Sequence, residues 1–315
     1  MRNVPAVLIL VLIPVLAVIA KPPQQEKAPD LSWAFPVPDK TIPPGFDETV
    51  LKHLPGSNET YAELSINPFN PPDWFPEEHP VEPPVVRHGS GKAIQACSYC
   101  HLANGLGHPQ SANLAGLSVS YLMRQLADFK SGARKAPPMD GFAKALTEDE
   151  ARQASEWFAA LEPRVWIKVV ETDTVPKTFV LNTRLRLPMP VAETEPLGRR
   201  IIEIPQDPPH AESYDPHSGF FAYVPVGSIA RGKEFVTTGA HKTIACVTCH
   251  GDDLRGAGEV PRIAGRSAIY IVRQLYTIQT HTRNGTGTDL MKPVVKKLTP
   301  DDMIAIAAYV ASRTP

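Results

Sequence analysis

Cys97-Ser98-Tyr99-Cys100-His101 and Cys246-Val247-Thr248-Cys249-His250 share one pattern, and together they use all four cysteines of the 315-residue chain. Two thiols three positions apart, with a histidine directly after the second, form the attachment signature of c-type haem. Each thiol can form a thioether to a haem vinyl group, and the adjacent histidine reaches the iron from one face. The motif therefore predicts two covalently bound haem c groups, held by Cys97, Cys100, Cys246 and Cys249 with His101 and His250 as iron ligands.

Other uses of cysteine fit less well. Disulfide frameworks do not require a histidine after each second cysteine. A zinc site needs four ligands, and each cluster supplies three with no second pair nearby. A thioredoxin-like Cys-x-x-Cys expects a βαβ setting, whereas the surrounding patterns are helical.

The motifs head a longer duplication. At an offset of 149 residues, Leu114-Ala115-Gly116 falls on Ile263-Ala264-Gly265, and Tyr121, Arg124, Gln125 and Leu126 fall on Tyr270, Arg273, Gln274 and Leu275. A three-residue insertion then moves the offset to 152. Met139 meets Met291, Leu146-Thr147 meets Leu298-Thr299, and Trp157 meets Tyr309. Self-similarity of this length marks a repeated structural unit. Each unit reads as helices joined by loops. Ser118 and Ser267 stand as N-caps before apolar-periodic runs. Thr147 with Glu150 forms a capping box, and Thr299 with Pro300 opens the matching helix. Ala151, Ala154, Phe158 and Leu161 make one apolar stripe; Ile304, Ala307, Ala308 and Val310 make the other.

The expected fold is mainly α, with two tandem helical haem domains at 86–162 and 228–315. The second has an upstream helix over 228–237. The first lacks one, because residues 80–91 are broken by proline and glycine. Proline, at 34 residues, is about twice its ordinary 5% share. Fifteen of these fall in 21–85, beside Trp33, Phe35, Phe46, Trp74 and Phe75, so this stretch reads as an extended arm packed on the domains or a partner, since disordered tethers are poor in aromatics. Residues 163–227 form an insertion with β-like runs at 165–170, 178–181 and 201–204. At the N-terminus, Arg2 and the apolar run Val4 to Ala20 read as an export signal over 1–20; an uncleaved membrane anchor is the alternative.

A six-coordinate haem needs a ligand opposite the histidine. Met139 lies 38 residues after His101 and Met291 41 after His250. Both are placed in loops, seven residues before the Leu-Thr cap, and the duplication keeps them while changing most neighbours. Met123 and Met303 read as core filler. His88, His108, His241 and His281 have no histidine counterpart and are expected at the surface.

The order of haem motif, Leu/Ile-Ala-Gly segment, Tyr-x-x-Arg-Gln-Leu helix, methionine and closing helix with an aromatic resembles the class I c-type cytochromes, in their di-haem form similar to cytochrome c4. The resemblance covers roughly half the chain. It implies proximal His101 and His250, distal Met139 and Met291, and thioethers at all four cysteines. In such domains a proline carbonyl commonly receives the proximal histidine N–H. Pro261 fits in repeat 2, but its counterpart is Ala112, so the two haems are expected to differ.

The functional expectation is an exported, periplasmic di-haem electron carrier without catalytic residues. Its partners would be a periplasmic dehydrogenase, a respiratory complex or a terminal oxidase, with membrane association through a partner or the N-terminus. A net charge of −1 suggests no nucleic-acid partner. The alternative is a di-haem enzyme, such as a peroxidase or a sulfur-compound oxidising cytochrome, which would need an open iron position.

Overall fold

The helix starts follow the caps that the sequence offers. In the computed structural model, which describes residues 30–46, 51–62 and 66–315, the first repeat holds α1 (Pro84–Arg87), α2 (Cys97–His101), α3 (Val119–Ser131), α4 (Met139–Ala145) and α5 (Glu148–Ala160). The insertion holds β1 (Ile167–Glu171), β2 (Thr174–Pro176), β3 (Thr178–Val180), β4 (Arg186–Pro188), β5 (Thr194–Pro196), β6 (Ile202–Pro205), α6 (Pro208–Glu212) and β7 (Phe220–Val224). The second repeat holds α7 (Ser228–Thr238), α8 (Val247–His250), α9 (Ala268–Gln279), α10 (Lys292–Val295) and α11 (Pro300–Ala311). The fold is thus mainly α with small sheets. The export-signal reading of residues 1–20 lies outside the described residues, and among those described no helix is long and apolar enough to cross a membrane.

Ser118 and Ser267 accept the backbone N–H of Tyr121 and Tyr270 at 3.2 and 3.1 Å. Thr147 and Glu150 exchange both capping-box bonds. At α11 the box is completed by Asp302, whose carboxylate receives Thr299 N–H at 2.8 Å. Caps of this kind contribute about 1 kcal/mol each. They fix where α3, α5, α9 and α11 begin, and so which faces turn inward. Ala151, Ala154 and Phe158 of α5 are buried, as are Ile304, Ala307, Ala308 and Val310 of α11. Met303 is fully buried filler, as expected.

The repeats differ at their entry. In repeat 2, α7 crosses α11 so closely that a Cβ on Gly232 would lie 1.9 Å from the Ala305 carbonyl oxygen. Repeat 1 retains one turn, α1, which buries Val85 and Val86. The rest of that contact comes from the arm. Trp157 Nε1 donates to Pro80 O at 2.9 Å, and His79 stands edge-on to the Trp157 ring.

From Leu31 onward the described residues form one compact unit, and the arm is sewn into it. Trp74, 1% exposed, donates Nε1 to Ser213 O at 2.7 Å. Asp39 and Val180 exchange two bonds, and Ala96 N–H donates to Pro68 O at 2.8 Å. The insertion forms a three-stranded sheet, with β7 central, parallel to β1 and antiparallel to β6. Two antiparallel ribbons, β2–β5 and β3–β4, flank it. The three β-like runs become β1, β3 and β6. Strand β7 went unread, although its alternating burial of Phe220, Ala222 and Val224 is an ordinary half-buried pattern.

Candidate functional site

Each Cys-x-x-Cys-His motif forms a single helical turn, α2 or α8, that places its histidine inside the repeat. His101 and His250 are each 7% exposed. The turns end with a left-handed backbone at equivalent positions, Leu102 at φ 61° and Gly251 at φ 81°. That reversal brings the loop beyond back over the histidine. His101 Nδ1 then bonds Ala112 O at 2.8 Å and His250 Nδ1 bonds Pro261 O at 2.9 Å, each eleven residues on.

A carbonyl only accepts, so Nδ1 carries the proton in both rings and Nε2 is left with its lone pair. Burial pushes both imidazoles below the ordinary histidine range, against the raising effect of these hydrogen bonds. Both rings are therefore neutral and aimed, the condition of a metal-ligating histidine. Ala112 thus serves as Pro261 does. The expected difference between the haems at this point is corrected, because the acceptor is a backbone oxygen that either residue supplies.

The four thiols are free. Burial pushes Cys97 up to about 12 and Cys100 and Cys246 up to about 11. Met139 opens α4 and Met291 is the N-cap of α10. They sit at helix starts rather than in loops, and α4 and α10 belong to corresponding places in the two repeats. Both methionines are half-buried, and neither sulfur has a hydrogen-bond partner among the described residues.

His88, His241 and His281 are exposed, as expected. His108 is not a surface residue. It is half-buried, and burial, with the nearby His101, Arg273 and Arg184, pushes it down to about 3. Its ring nitrogen accepts Gln110 N–H at 3.2 Å.

The duplicated Tyr-x-x-Arg-Gln helices meet each other. Arg134 donates to Gln125 Oε1 in its own repeat and to Tyr270 Oη and Gln274 Oε1 across, at 2.9, 3.3 and 3.0 Å. Arg283 returns the arrangement, donating to Gln274 Oε1 at 3.0 Å and to Tyr121 Oη and Gln125 Oε1 at 3.1 and 2.8 Å. Arg124 pairs with Glu259, and Arg273 binds Gln110 at 2.7 Å. Arg262 reaches its own counterpart Asn113, 149 residues away, at 3.1 Å. Equivalent residues exchanging equivalent contacts define a pseudo-two-fold interface. Arg134 and Arg283 were missed in the sequence, although the 149-residue offset aligns them.

This interface leaves buried cationic atoms unpartnered, among them Arg262 Nε, Arg266 Nη2 and Arg283 Nε. Arg262 and Arg266 are 6% and 3% exposed. A buried guanidinium edge without an acceptor is costly, and an anionic group such as a haem propionate would satisfy it. Free paired thiols, neutral aimed histidines and orphaned arginine donors together fit haem c.

Comparison with known proteins agrees. The family described as cytochrome c matches residues 229–314. A thiosulfate dehydrogenase electron acceptor from Stutzerimonas stutzeri is 28% identical over 229 residues, 71% of this chain and 82% of its own. Cytochrome c4 from Pseudomonas aeruginosa is 26% identical, covering 70% of this chain and 85% of its own. Cytochrome c-554(548) from Halomonas halodenitrificans is 34% identical over 76 residues, 24% of this chain and 92% of its own. The solved structure of thiosulfate dehydrogenase (TsdBA) from Marichromatium purpuratum superposes with a TM-score of 0.50 at 28% identity, covering 73% of this chain and 39% of that one.

Proposed function

Since the chain belongs to the c-type cytochromes, of the cytochrome c4 family, we propose that it is an exported di-haem carrier that moves single electrons from a dehydrogenase to a downstream acceptor. The observation that carries this is the duplicated histidine geometry, with Nδ1 tied to a carbonyl at 2.8 and 2.9 Å and Nε2 left to bind iron. Haem c, when bound, supplies a one-electron iron couple. Cys97 and Cys100 would hold one haem and Cys246 and Cys249 the other. His101 with Met139, and His250 with Met291, would hold the irons. Burial around each histidine excludes water, and the fixed Nδ1 bonds hold each ring in one orientation.

A methionine ligand beside the histidine would favour ferrous iron and raise the potential. Bound there, Met139 and Met291 would occupy the iron position that a peroxidase needs free, which would favour carriage over catalysis. We place the protein in the periplasm, with residues 1–20 as its export signal. Relatives named for accepting electrons from thiosulfate dehydrogenase favour a sulfur-oxidising dehydrogenase as the donor.

Redox titration tests the ligands. Two haems per chain are expected by pyridine haemochrome, with a methionine–iron charge-transfer band in the ferric protein. Met139→His and Met291→His should each lower one midpoint potential and leave the other in place. A high-spin ferric spectrum, or potentials unmoved by either change, would overturn the assignment in favour of an enzyme.

A further inference from the structure

We propose that a carboxylate-bearing redox protein docks on repeat 2 alone, at a basic groove beside Cys246 and Met291, and that repeat 1 is closed to such partners by the arm and the insertion. This rests on the electron-carrier reading above. The two repeats are alike inside and unlike outside, and the difference lies around the attachment turns.

In repeat 1 the turn is covered. Ala96, just before Cys97, donates its N–H to Pro68 O of the arm at 2.8 Å. Tyr99, inside the motif, packs on Tyr214 of the insertion with centroids 5.4 Å apart. Asn104 donates to Pro216 O at 2.7 Å. In repeat 2 Thr248, which matches Tyr99, and Asp253, which matches Asn104, are exposed, as is Cys249, while Ala245, which matches Ala96, is half-buried.

Beside that open turn runs a shallow groove between the segment leading into Cys246 and the segment leaving Met291. Thr243 Oγ1, donating to Val294 O at 2.5 Å, ties the two together. Lys242, Lys296, Lys297, His241, Ile244 and Pro293 line it, and no carboxylate does. The Lys242 ammonium is held by Asp302. Among the described residues Lys296 and Lys297 have no ion-pair partner. Ile244 is 45% exposed and Leu290, next to Met291, 77%. An apolar centre with a lysine rim is the anatomy of a protein-docking patch.

The basicity is local, since the whole chain carries a net charge of −1. At the matching positions of repeat 1, the lining residues Lys242 and Lys297 become Ala93 and Ala145, while Lys296 keeps its match in Lys144 and His241 meets Lys92. A second copy of this chain would bring lysine against lysine. Acidic groups on the partner complement the rim, and steering of this kind acts on the association rate.

The test uses the full haem-loaded protein and an acidic flavodoxin as the probe. In stopped flow, one electron leaves the flavodoxin hydroquinone, giving the semiquinone, and reduces one ferric iron. Lys296→Glu with Lys297→Glu should slow the second-order rate about tenfold at low salt and flatten its dependence on ionic strength. Lys144→Glu in repeat 1 should leave the rate within about twofold. An unchanged rate in the double variant, or equal slowing by Lys144→Glu, overturns the proposal. So does an unchanged flavodoxin rate accompanied by lost binding to phosphatidylglycerol vesicles, which would assign the groove to lipid. Haem content and the methionine–iron band, read on the same samples, separate the two readings. Their absence overturns the carrier reading, whereas their presence with unchanged rates overturns docking alone.

Discussion

Arg134 and Arg283, 149 positions apart in the chain, lie opposite each other as antiparallel bridge partners, each reaching into the other's repeat. Lys135 N–H donates to Thr282 O at 3.2 Å and Asn284 N–H to Ala133 O at 2.7 Å, so the backbone contact obeys the same pseudo-two-fold as the side chains. Both guanidinium groups share Gln125 and Gln274 as acceptors. The duplication is therefore joined through its own repeated residues.

Replacing either arginine leaves Gln125 and Gln274 bonded to the other guanidinium, and only the double variant strands both acceptors. Arg134→Met or Arg283→Met should each cost about 2–3 kcal/mol, the scale for breaking a buried charged hydrogen-bond network. Because each single variant leaves the shared acceptors one donor and the double leaves them none, the double variant should cost clearly more than the sum. Guanidinium unfolding of the four proteins measures this. Strict additivity would mean that the two networks are independent.

Gly232 and Gly141 make a contrasting pair in one experiment. A Cβ at Gly232 would strike the Ala305 backbone, while one at Gly141, in α4, meets nothing within 4 Å. Gly232→Ala should lose about 3 kcal/mol, because α7 and α11 must separate. Gly141→Ala should gain up to about 1 kcal/mol from helix propensity. Thermal melts report both, and a tolerated Gly232→Ala would contradict the close crossing.

Glu203 on β6 caps α9 from the insertion. Its carboxylate accepts Ser267 Oγ and Ala268 N–H, both at 2.6 Å, and Ile269 N–H at 3.3 Å. Burial, only partly opposed by these bonds, holds it above the usual carboxylate value of 4.5. The folded state therefore binds this proton more tightly than the unfolded state. Its contribution is fully present below the unfolded value and is lost as pH rises through the folded one. Glu203→Gln removes the titration. The melting temperature of the variant relative to wild type should rise as pH is raised above about 4.5. A difference that is flat with pH, or that falls, would show that the hydrogen bonds outweigh burial.

The chemistry of the site was legible because it is local. Cys-x-x-Cys-His places three groups within five residues, and the caps at Ser118, Thr147, Ser267 and Thr299 set helix starts through bonds three residues long. Internal duplication then singled out Met139 and Met291, which the structure places at corresponding helix starts in the two repeats. Ala112 misled because the acceptor for His101 is a backbone oxygen, and side-chain identity carries no signal for it. His108 misled because its burial comes from packing within the tertiary structure, including Arg273 of the other repeat.

By itself, the sequence determined the two Cys-x-x-Cys-His turns, their histidines, the helices of each repeat and the presence of an arm and a β-like insertion. These follow from spacing, periodicity and capping, which act over a few residues. Only the tertiary structure decided that the repeats join through Arg134 and Arg283, that Glu203 of the insertion caps α9, and that the arm and insertion lie over the attachment turn of repeat 1 alone. Those contacts link residues tens to hundreds of positions apart. They depend on which surfaces close packing brings together, and no local pattern records that.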